Sequence, residues 1–399
     1  MELVILIIEG CVVFRMVNVA VVGVSMTRFG EHWNLSLRDL ATEAGRLALE
    51  DAKLHGSDIQ ALYIGNMSAG RFIGQEHLAA LAVDHAGLTP IPATRCEAAC
   101  ASGALAFRQA YLAVASGKYD IVMAAGAEKM TDLKTQDVML SLMAAGDQEW
   151  ESAIGLTFSG LYALMARAHM KKFGTTQEQL AMVAATNHKN AVGNPYAQYP
   201  FEVSIQDVLK SPMISDPLHL LDCSPITDGA SAAILVSEKL AKNFEKPAWI
   251  LASEQGSDSL ALHDRQSIVE MLATKVAAKK AYETAGKAPK DIDVAEVHDC
   301  FTINEIIALE DLGFCEKGSG GRLVEEGKIR PNGEIPTNTT GGLKAIGHPV
   351  GATGLRQVFD IVKQLRGESH NQVNAKTGLA LNIGGSGSTA IVNILAKEE

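Results

Sequence analysis

A cysteine set among small residues gives the first indication of chemistry. Cys100 lies in the stretch AACASGALA, residues 98–106. The apolar residues after it recur with the spacing of one helix face, at Phe107, Ala110, Tyr111 and Val114. Unpaired N–H groups and a positive dipole at a helix start stabilise a thiolate, and small neighbours leave room for an acyl group. Cys100 is therefore a candidate nucleophile, and a buried structural cysteine is the alternative.

A second stretch, VHDCF at residues 297–301, follows a predicted strand. Functional residues of open α/β sheets collect at such strand ends. His298 and Cys300 are two residues apart, so they share one face if the strand continues. A histidine and a cysteine that are simply packed and hydrogen-bonded are the alternative interpretation.

A third stretch, GGLKAIGHPVGATG at residues 341–354, is a glycine-rich loop around a histidine. Glycines allow unusual dihedral angles and close approach of the backbone, and Pro349 fixes the turn after His348. A histidine held in such a loop can act as a general base near neutral pH. The strand followed by GxGxxG that is typical of a dinucleotide fold is absent, which argues against NAD binding.

Two further stretches could line a site. NIGGSGST, residues 382–389, can direct backbone N–H groups at an anion, as an oxyanion hole requires, or can simply close a hairpin. DCSPITDGASA, residues 222–232, fits a loop against a substrate or a helix cap.

Strand and helix patterns alternate along the chain, which predicts an α/β fold. Strands are expected at residues 17–24, 61–64, 121–125, 249–252, 293–297 and 379–383, and helices at 37–54, 268–285 and 354–365. A helix, a turn with aspartate and a strand recur at an offset of 233 residues, matching Ala44 with Ala277, Ala48 with Ala281, Glu50 with Glu283, Ala52 with Ala285, Asp58 with Asp291 and Ile59 with Ile292. CASG at 100–103 is echoed by GATG at 351–354. The chain therefore reads as a duplicated βαβ-rich unit.

These patterns divide the chain into three parts. Residues 16–245 form a first half, which includes an inserted region at about 130–222, and residues 246–399 form a second half. Residues 1–15 are an extension that is too short for a membrane span of ~20 apolar residues and has no basic leader. Met16 precedes a clean strand pattern, which favours it as the true start of translation.

Composition excludes several classes of function. The formal net charge of −11 makes nucleic acid a poor partner, although a small anion can still bind a local basic patch. The 6 cysteines show no CxxC pairs, which is typical of a reducing compartment and indicates a cytoplasmic protein. No clustered Cys/His spacing predicts a metal site, and no apolar run predicts a membrane span.

Taken together and in this order, the motifs resemble those of the thiolase superfamily from residue 16 to 399. CASG resembles the family's nucleophile motif and GHPVGATG its catalytic-histidine motif. HDCF and NHKNA, residues 187–191, are similar to the sterol-carrier-protein-X thiolases and archaeal acetoacetyl-CoA thiolases. Two departures separate the chain from commoner thiolases, which have Asn-Glu-Ala-Phe in place of HDCF and a second catalytic cysteine where this chain has Asn382. The implied fold is a layered α-β-α-β-α structure of two pseudo-symmetric halves.

The resemblance also implies roles for single residues. Cys100 would be acylated with help from His348, and Cys300 would replace the missing cysteine as acid and base. His298 and His348 would hold an enolate oxygen, and the N–H groups of Cys100 and Gly384 would hold the tetrahedral intermediate. The expected contacts with coenzyme A are Ser224, Lys344 and His188. Coenzyme A is then a substrate or product, and no separate cofactor is expected.

The implied reaction is condensation of two acetyl-CoA to acetoacetyl-CoA, the first step of the mevalonate route. Degradative thiolysis of longer 3-ketoacyl-CoA is the alternative within the family, and a non-catalytic CoA-binding scaffold is the alternative of another class. The resemblance further implies a homodimer or tetramer. Hydroxymethylglutaryl-CoA synthase and a small acyl-CoA-binding bridging protein are the partners expected from the archaeal members.

Overall fold

The computed structural model describes residues 17–397, together with the backbone of two strands before them. The predicted extension, residues 1–15, therefore lies outside the residues that are described in full. The strands are β1 Ile5–Ile8, β2 Cys11–Phe14, β3 Val19–Met26, β4 Ala61–Gly65, β5 Ala93–Cys96, β6 Ile121–Glu128, β7 Met213–Ser215, β8 Leu218–His219, β9 Gly229–Ser237, β10 Ala248–Ser257, β11 Val294–Glu296, β12 Thr377–Gly384 and β13 Thr389–Ala396. The helices are α1 Leu37–Ala52, α2 Ala69–Phe72, α3 Leu78–His85, α4 Ser102–Ala115, α5 Thr135–Leu142, α6 Phe158–Phe173, α7 Gln177–Ala191, α8 Ile205–Lys210, α9 Glu238–Ala241, α10 Leu272–Ala285, α11 Thr302–Asp311, α12 Gly320–Glu325, α13 Gly342–Ile346 and α14 Thr353–Arg366.

Nine strands form one hydrogen-bonded sheet with a repeated order. The order is β11-β12-β13-β10-β3-β9-β6-β4-β5. Outward from the centre, β3, β9, β6 and β4 follow the same antiparallel, antiparallel, parallel sequence as β10, β13, β12 and β11. The two half-sheets are joined through only two residue pairs, Ala248 with Val21 and Trp249 with Ala20. This topology matches the duplication that the offset of 233 residues predicts.

The helices complete the expected layers. Helix α1 packs on β3, β9 and β6, and α10 packs on β10 and β13. Helices α4 and α14 contact each other between the half-sheets, where apolar residues of both helices share one buried cluster. The order is therefore α-β-α-β-α, as predicted.

The two echoed motifs meet at the centre of these layers. A Cβ atom on Gly103 would lie 2.7 Å from the carbonyl oxygen of Gly351, and one on Gly354 would lie 2.3 Å from the amide nitrogen of Ala104. Such distances are too short for any side chain, so glycine is required for the starts of α4 and α14 to touch. This contact brings the segment with Cys100 against the segment with His348.

The inserted region covers the same end of the sheet. It contains α5 to α8 with the small strands β7 and β8, and α7 packs on α11, α12 and α13 of the second half. Buried Asp228 holds the start of the insert beside its end. Its carboxylate accepts hydrogen bonds from Lys129 Nζ at 2.8 Å and from the amides of Met130 and Thr131 at 2.7 and 2.9 Å.

Some element ends differ from the sequence prediction. Strand β10 runs to Ser257 rather than to residue 252, because its continuation is polar but still pairs with β13. Helix α10 begins at Leu272 rather than at 268. Within the described part of the chain, no helix is long and apolar enough to cross a membrane.

Candidate active site

A cavity of about 570 Å³ lies where the starts of α4 and α14 meet the ends of β11 and β12. Cys100, Cys300 and His348 all line it, so the two candidate sulfurs open into one space. Cys100 lies two residues before the first residue of α4, as the periodicity predicts. Ala99, just before it, has φ of +51°, a left-handed conformation that is costly for alanine and typical of tight functional turns.

Cys100 is a thiol rather than a thiolate in this structure. Burial raises the pKa of Cys100 to about 12, and the N–H of Gly385, which donates to its sulfur, offsets this only in part. The carboxylate of Glu128 raises the pKa further. The stabilisation of a thiolate that the helix start offers is therefore outweighed by removal from water. A base must accept the thiol proton.

His348 has the geometry of that base. Thr353 Oγ1 donates a hydrogen bond to the carbonyl of Pro349 at 3.0 Å, so it accepts one from His348 Nδ1 at 2.7 Å. The proton of the neutral ring is thus on Nδ1, and Nε2 carries a lone pair. Nε2 has no hydrogen-bond partner among residues 17–397, although the side chain is buried. Burial, followed by the charge of Arg356, lowers the pKa of His348 to about 3, so the ring is neutral.

His298 is arranged in the opposite way. The amide of Asn382 donates to His298 Nδ1 at 3.0 Å, which places the proton on Nε2. That Nε2 is also buried and has no partner within the described residues. The rings of His298 and His348 are perpendicular, with centroids 5.0 Å apart. One ring nitrogen of each and the sulfur of Cys100 all lie within 4.8 Å of one another.

Cys300 lies beside this group and is buried. Asn304 Nδ2 donates to its sulfur at 3.7 Å and also binds the carbonyl of His298. Burial, with Cys100 adding to it, raises the pKa of Cys300 well above its ordinary value, while the nearby Tyr162 hydroxyl opposes the shift. Cys300 is therefore a proton donor in the resting site.

Tyr162 and Asn382 are functional candidates that sequence reasoning missed. The Tyr162 hydroxyl donates to the carbonyl of Gly385 at 3.1 Å, and its ring stacks on Phe301 at 4.6 Å. Tyr162 is in the insert, where no motif indicates it. The sequence did mark Asn382 as unusual, since it occupies the position of the missing cysteine. In the structure its amide binds and orients the ring of His298.

The amide beside Cys100 belongs to Gly385, one residue after the predicted Gly384. Gly384 ends β12 and pairs with Thr389, and a Cβ atom there would lie 2.4 Å from the carbonyl oxygen of Ala98. Gly385, with φ of +63°, turns out of the strand and lines the cavity. Gly384 thus permits close packing on Ala98, while the Gly385 amide lies against the Cys100 sulfur; the oxyanion role expected of Gly384 stays a prediction.

The three residues expected to contact coenzyme A line the same cavity. The N–H of Ser224 donates to the carbonyl of Cys300 at 2.8 Å and ties its loop to HDCF. His188 Nδ1 binds the carbonyl of Phe201 at 3.2 Å, and burial lowers the pKa of His188 to about 4. Lys344 is only 2% exposed and its Nζ donates to the carbonyl of Cys223, so it is a buried lysine within the cavity wall.

A buried polar network behind the cavity joins three of the motifs. Asp299 of HDCF accepts hydrogen bonds from the amides of Leu343 and Lys344 at 2.6 and 3.2 Å, at the start of α13. Asn187 of NHKNA donates to both Asp299 and Glu305, at 2.8 Å each. The network fixes the loop that carries His348 relative to the strand end that carries His298.

Comparison with known proteins identifies the family of the chain. Residues 19–239 match the family described as "Thiolase, N-terminal domain", and residues 254–397 match "Thiolase C-terminal domain-like". The chain belongs to the thiolase family. The predicted family and fold are thereby confirmed.

The relatives lie on the branch that HDCF indicates. The chain is 56% identical over 383 residues to an acetyl-CoA acetyltransferase of Methanothermobacter thermautotrophicus, covering 95% of this chain and 100% of the relative. It is 38% identical to sterol carrier protein 2 of Bos taurus, covering 94% of this chain and 71% of that protein. Among solved structures, the "Ltp2-ChsH2(DUF35) aldolase" superposes with a TM-score of 0.84 at 26% identity, covering 96% of this chain and 98% of the other.

Proposed function

We propose that this thiolase is an acetyl-CoA C-acetyltransferase that condenses two acetyl-CoA into acetoacetyl-CoA through an acetylated Cys100. The observation that carries the proposal is the convergence of a protonated thiol, Cys100, with the unpartnered lone pair of His348 in one cavity. The identity of 56% to an archaeal acetyl-CoA acetyltransferase supports the choice of substrate.

In the first half-reaction, Cys100 attacks the thioester carbon while His348 Nε2 takes the thiol proton. The N–H groups of Cys100 and Gly385 stabilise the oxyanion of the tetrahedral intermediate, and the loss of one such donor typically costs ~2.7–4 kcal/mol in the barrier. Coenzyme A leaves as the sulfur–carbon bond breaks, and Cys300 gives it a proton. The products are acetyl-Cys100, a protonated His348 and a Cys300 thiolate.

In the second half-reaction, the Cys300 thiolate removes the α-proton of another acetyl-CoA. The enolate oxygen accepts hydrogen bonds from His298 Nε2–H and from protonated His348. The enolate carbon attacks acetyl-Cys100, the new carbon–carbon bond forms, and the cysteine sulfur leaves and regains its proton from His348. Every proton is thus returned, and Cys300 and His348 each act once as an acid and once as a base.

Degradative thiolysis of longer 3-ketoacyl-CoA uses the same residues in reverse. The apolar walls of the cavity, which include Leu142, Phe158 and Ile214, favour this as the second candidate, because they can hold more than an acetyl group. Comparing kcat/KM for acetoacetyl-CoA with that for longer 3-ketoacyl-CoA, each with coenzyme A, separates the two. A clear preference for long chains contradicts the proposed substrate.

Intact-protein mass spectrometry after incubation with acetyl-CoA tests the covalent step. The expected result is a mass increase of one acetyl group, mapped to the peptide with Cys100, and no increase in Cys100→Ser. A Cys315→Ser variant is the matched control, since Cys315 does not line the cavity. A wild-type protein that binds acetyl-CoA without forming an adduct is instead a scaffold.

The same proposal extends to the location, the oligomeric state and the partners of the protein. We infer a cytoplasmic homo-oligomer that supplies the mevalonate route together with hydroxymethylglutaryl-CoA synthase and a bridging protein. The exposed edge position of β5 in the sheet supports self-association, and the DUF35 component named in the aldolase structure supports a small partner. Light scattering of the purified chain, and co-purification with the candidate partners, test these two points.

A further inference from the structure

The active-site cysteine and histidines also form a set of soft metal ligands. The sulfur of Cys100 and one ring nitrogen each of His298 and His348 lie within 4.8 Å of one another. Thiolate and imidazole are the ligands that Zn²⁺ prefers. The sequence alone does not reveal this set, because the three residues come from distant segments and lack the short Cys/His spacing that is typical of zinc sites.

The second observation is that both histidines have a free nitrogen. Nδ1 of His348 is bound to Thr353, and Nδ1 of His298 is bound to Asn382. Nε2 of each ring lacks a hydrogen-bond partner in the part of the chain that the structure describes, and the side chains are 6% and 0% exposed. Proteins orient metal-binding histidines by hydrogen bonds at the other ring nitrogen, which His348 already donates to Thr353 and which His298 can donate to Asn382 once its proton is on Nδ1.

The required adjustment is small. A tetrahedral zinc site with metal–sulfur and metal–nitrogen bonds of about 2.3 and 2.0–2.1 Å has ligand atoms about 3.3–3.6 Å apart. The three ligand atoms must therefore approach by about 1 Å. The cavity leaves a fourth position open for water or for a thiol.

We propose that Cys100, His298 and His348 bind Zn²⁺ as a reversible inhibitory site. Zn²⁺ bonds to the Cys100 thiolate, and the thiol proton goes to solvent. At His298 the proton moves from Nε2 to Nδ1, and the Asn382 amide turns so that its unpartnered Oδ1 accepts it, which frees the Nε2 lone pair for the metal. Zinc then occupies both the sulfur that must attack the thioester and the nitrogen that must accept the proton. This inhibition rests on the proposed role of Cys100, whereas the metal binding itself does not.

The binding is tested with Co²⁺ as a spectroscopic probe on the full chain after chelator treatment. The expected spectrum has a thiolate-to-cobalt charge-transfer band and the intense visible bands of a tetrahedral site, and Zn²⁺ bleaches both. Cys100→Ser should lose the charge-transfer band. Loss of an orienting partner typically lowers metal affinity 10–100-fold. The loss of a ligand in His298→Asn should therefore lower Zn²⁺ affinity by at least about 100-fold.

Controls separate this site from other ligands on the protein. His263→Gln and Cys315→Ser, which change residues outside the cavity, should bind metal as the wild type does. Acetylation of Cys100 by acetyl-CoA should prevent binding, and a chelator should restore activity. A tetrahedral spectrum that survives in both Cys100→Ser and His298→Asn overturns the proposal, as does the lack of a charge-transfer band in the wild type.

The two proposals can fail separately. If metal-free protein forms acetyl-Cys100 but shows no cysteine-dependent cobalt spectrum, only the zinc site is wrong. If the spectrum appears but no acetyl adduct forms, the zinc site stands and the catalytic role of Cys100 is wrong. Thermal unfolding of each variant checks that it is folded.

Discussion

Equivalent strand ends in the two halves of the molecule have different uses. In the first half, Asn66 and Met67 follow β4, and Glu128 ends β6. Glu128 accepts hydrogen bonds from Asn66 Nδ2 and the Met67 amide, both at 2.8 Å, so its two oxygens are satisfied. In the second half, His298 and Cys300 follow β11, and both His298 and His348 keep a buried nitrogen without a partner within residues 17–397.

The comparison teaches that topology alone does not mark the active site. Both halves place polar residues at the same strand ends, and both bury them. The difference is that neighbouring residues complete the hydrogen bonds of Asn66 and Glu128, while His298 and His348 each keep an unpaired nitrogen near the Cys100 sulfur. Buried unpaired polar atoms are costly, so they indicate a place where a substrate completes the set.

Replacing the nucleophile should have the largest effect. Cys100→Ser is expected to lower the rate of condensation about 10⁴-fold or more, because a hydroxyl paired with this neutral imidazole is a much poorer nucleophile. A coupled spectrophotometric assay of acetoacetyl-CoA measures the rate. Condensation at a rate near that of the wild type contradicts the covalent route.

Removing the second sulfur should separate the two half-reactions. Cys300→Ala is expected to lower condensation about 10²–10⁴-fold, because the α-proton loses its base. Acetyl-Cys100 should still form, although more slowly, because water can protonate the departing thiolate. Mass spectrometry follows the adduct, and loss of deuterium from labelled acetyl-CoA follows proton removal. Unchanged deuterium loss assigns the base to another group.

A change in the first half should affect stability rather than chemistry. Glu128→Gln replaces one acceptor oxygen with an NH₂ group that faces backbone or amide donors. The expected cost is about 1–3 kcal/mol in the free energy of unfolding. Urea denaturation measures it, with the acetylation rate of Cys100 as the parallel readout. If the variant is as stable as the wild type but fails to acetylate, the strand end with Glu128 takes part in the chemistry and the comparison breaks down.

A further prediction concerns the pH dependence of stability. Burial and the charge of Asp299 raise the pKa of Glu305 from 4.5 to about 8. The unfolded chain loses this proton at lower pH than the folded chain, so the residue lowers stability as pH rises from about 4.5 to 8, by up to about 1.4 kcal/mol per unit.

Glu305→Gln should remove this contribution. Its uncharged amide can still accept from Asn187 and Asn338, which both donate to Glu305 at 2.8 Å. The variant should therefore match the wild type near pH 5 and be more stable near pH 8, as measured by chemical denaturation at both values. If the free energy of unfolding changes by the same amount between pH 5 and pH 8 in the variant and in the wild type, Glu305 is not protonated in the folded wild type.

The sequence predicted much of the fold because the fold depends on short local patterns. The repeated alanines of α1 and α10 and the echo of CASG in GATG are visible in the letters, and the close contact of Gly103 with Gly351 explains the echo. The convergence of Cys100, Cys300 and His348 followed from family motifs, not from any local pattern.

Other features depended on three-dimensional surroundings. The protonation of Cys100 is decided by burial, which no local pattern reports. The burial of Lys344 depends on how α13 packs. The amide that faces the Cys100 sulfur is that of Gly385 rather than Gly384 because β12 ends at Gly384. Tyr162 reaches the site only because the insert folds back over it.

Asp228 has a consequence for the evolution of the molecule. Its carboxylate binds residues 129–131, where the insert begins, and Asp228 itself directly precedes β9, which follows the insert. The two ends of the insert are therefore held together. Changes within the insert can therefore reshape its side of the cavity wall without disturbing the register of the sheet beneath it. Substrate preference can thus evolve through substitutions in the insert, while the residues proposed to form the carbon–carbon bond, which lie outside it, stay the same.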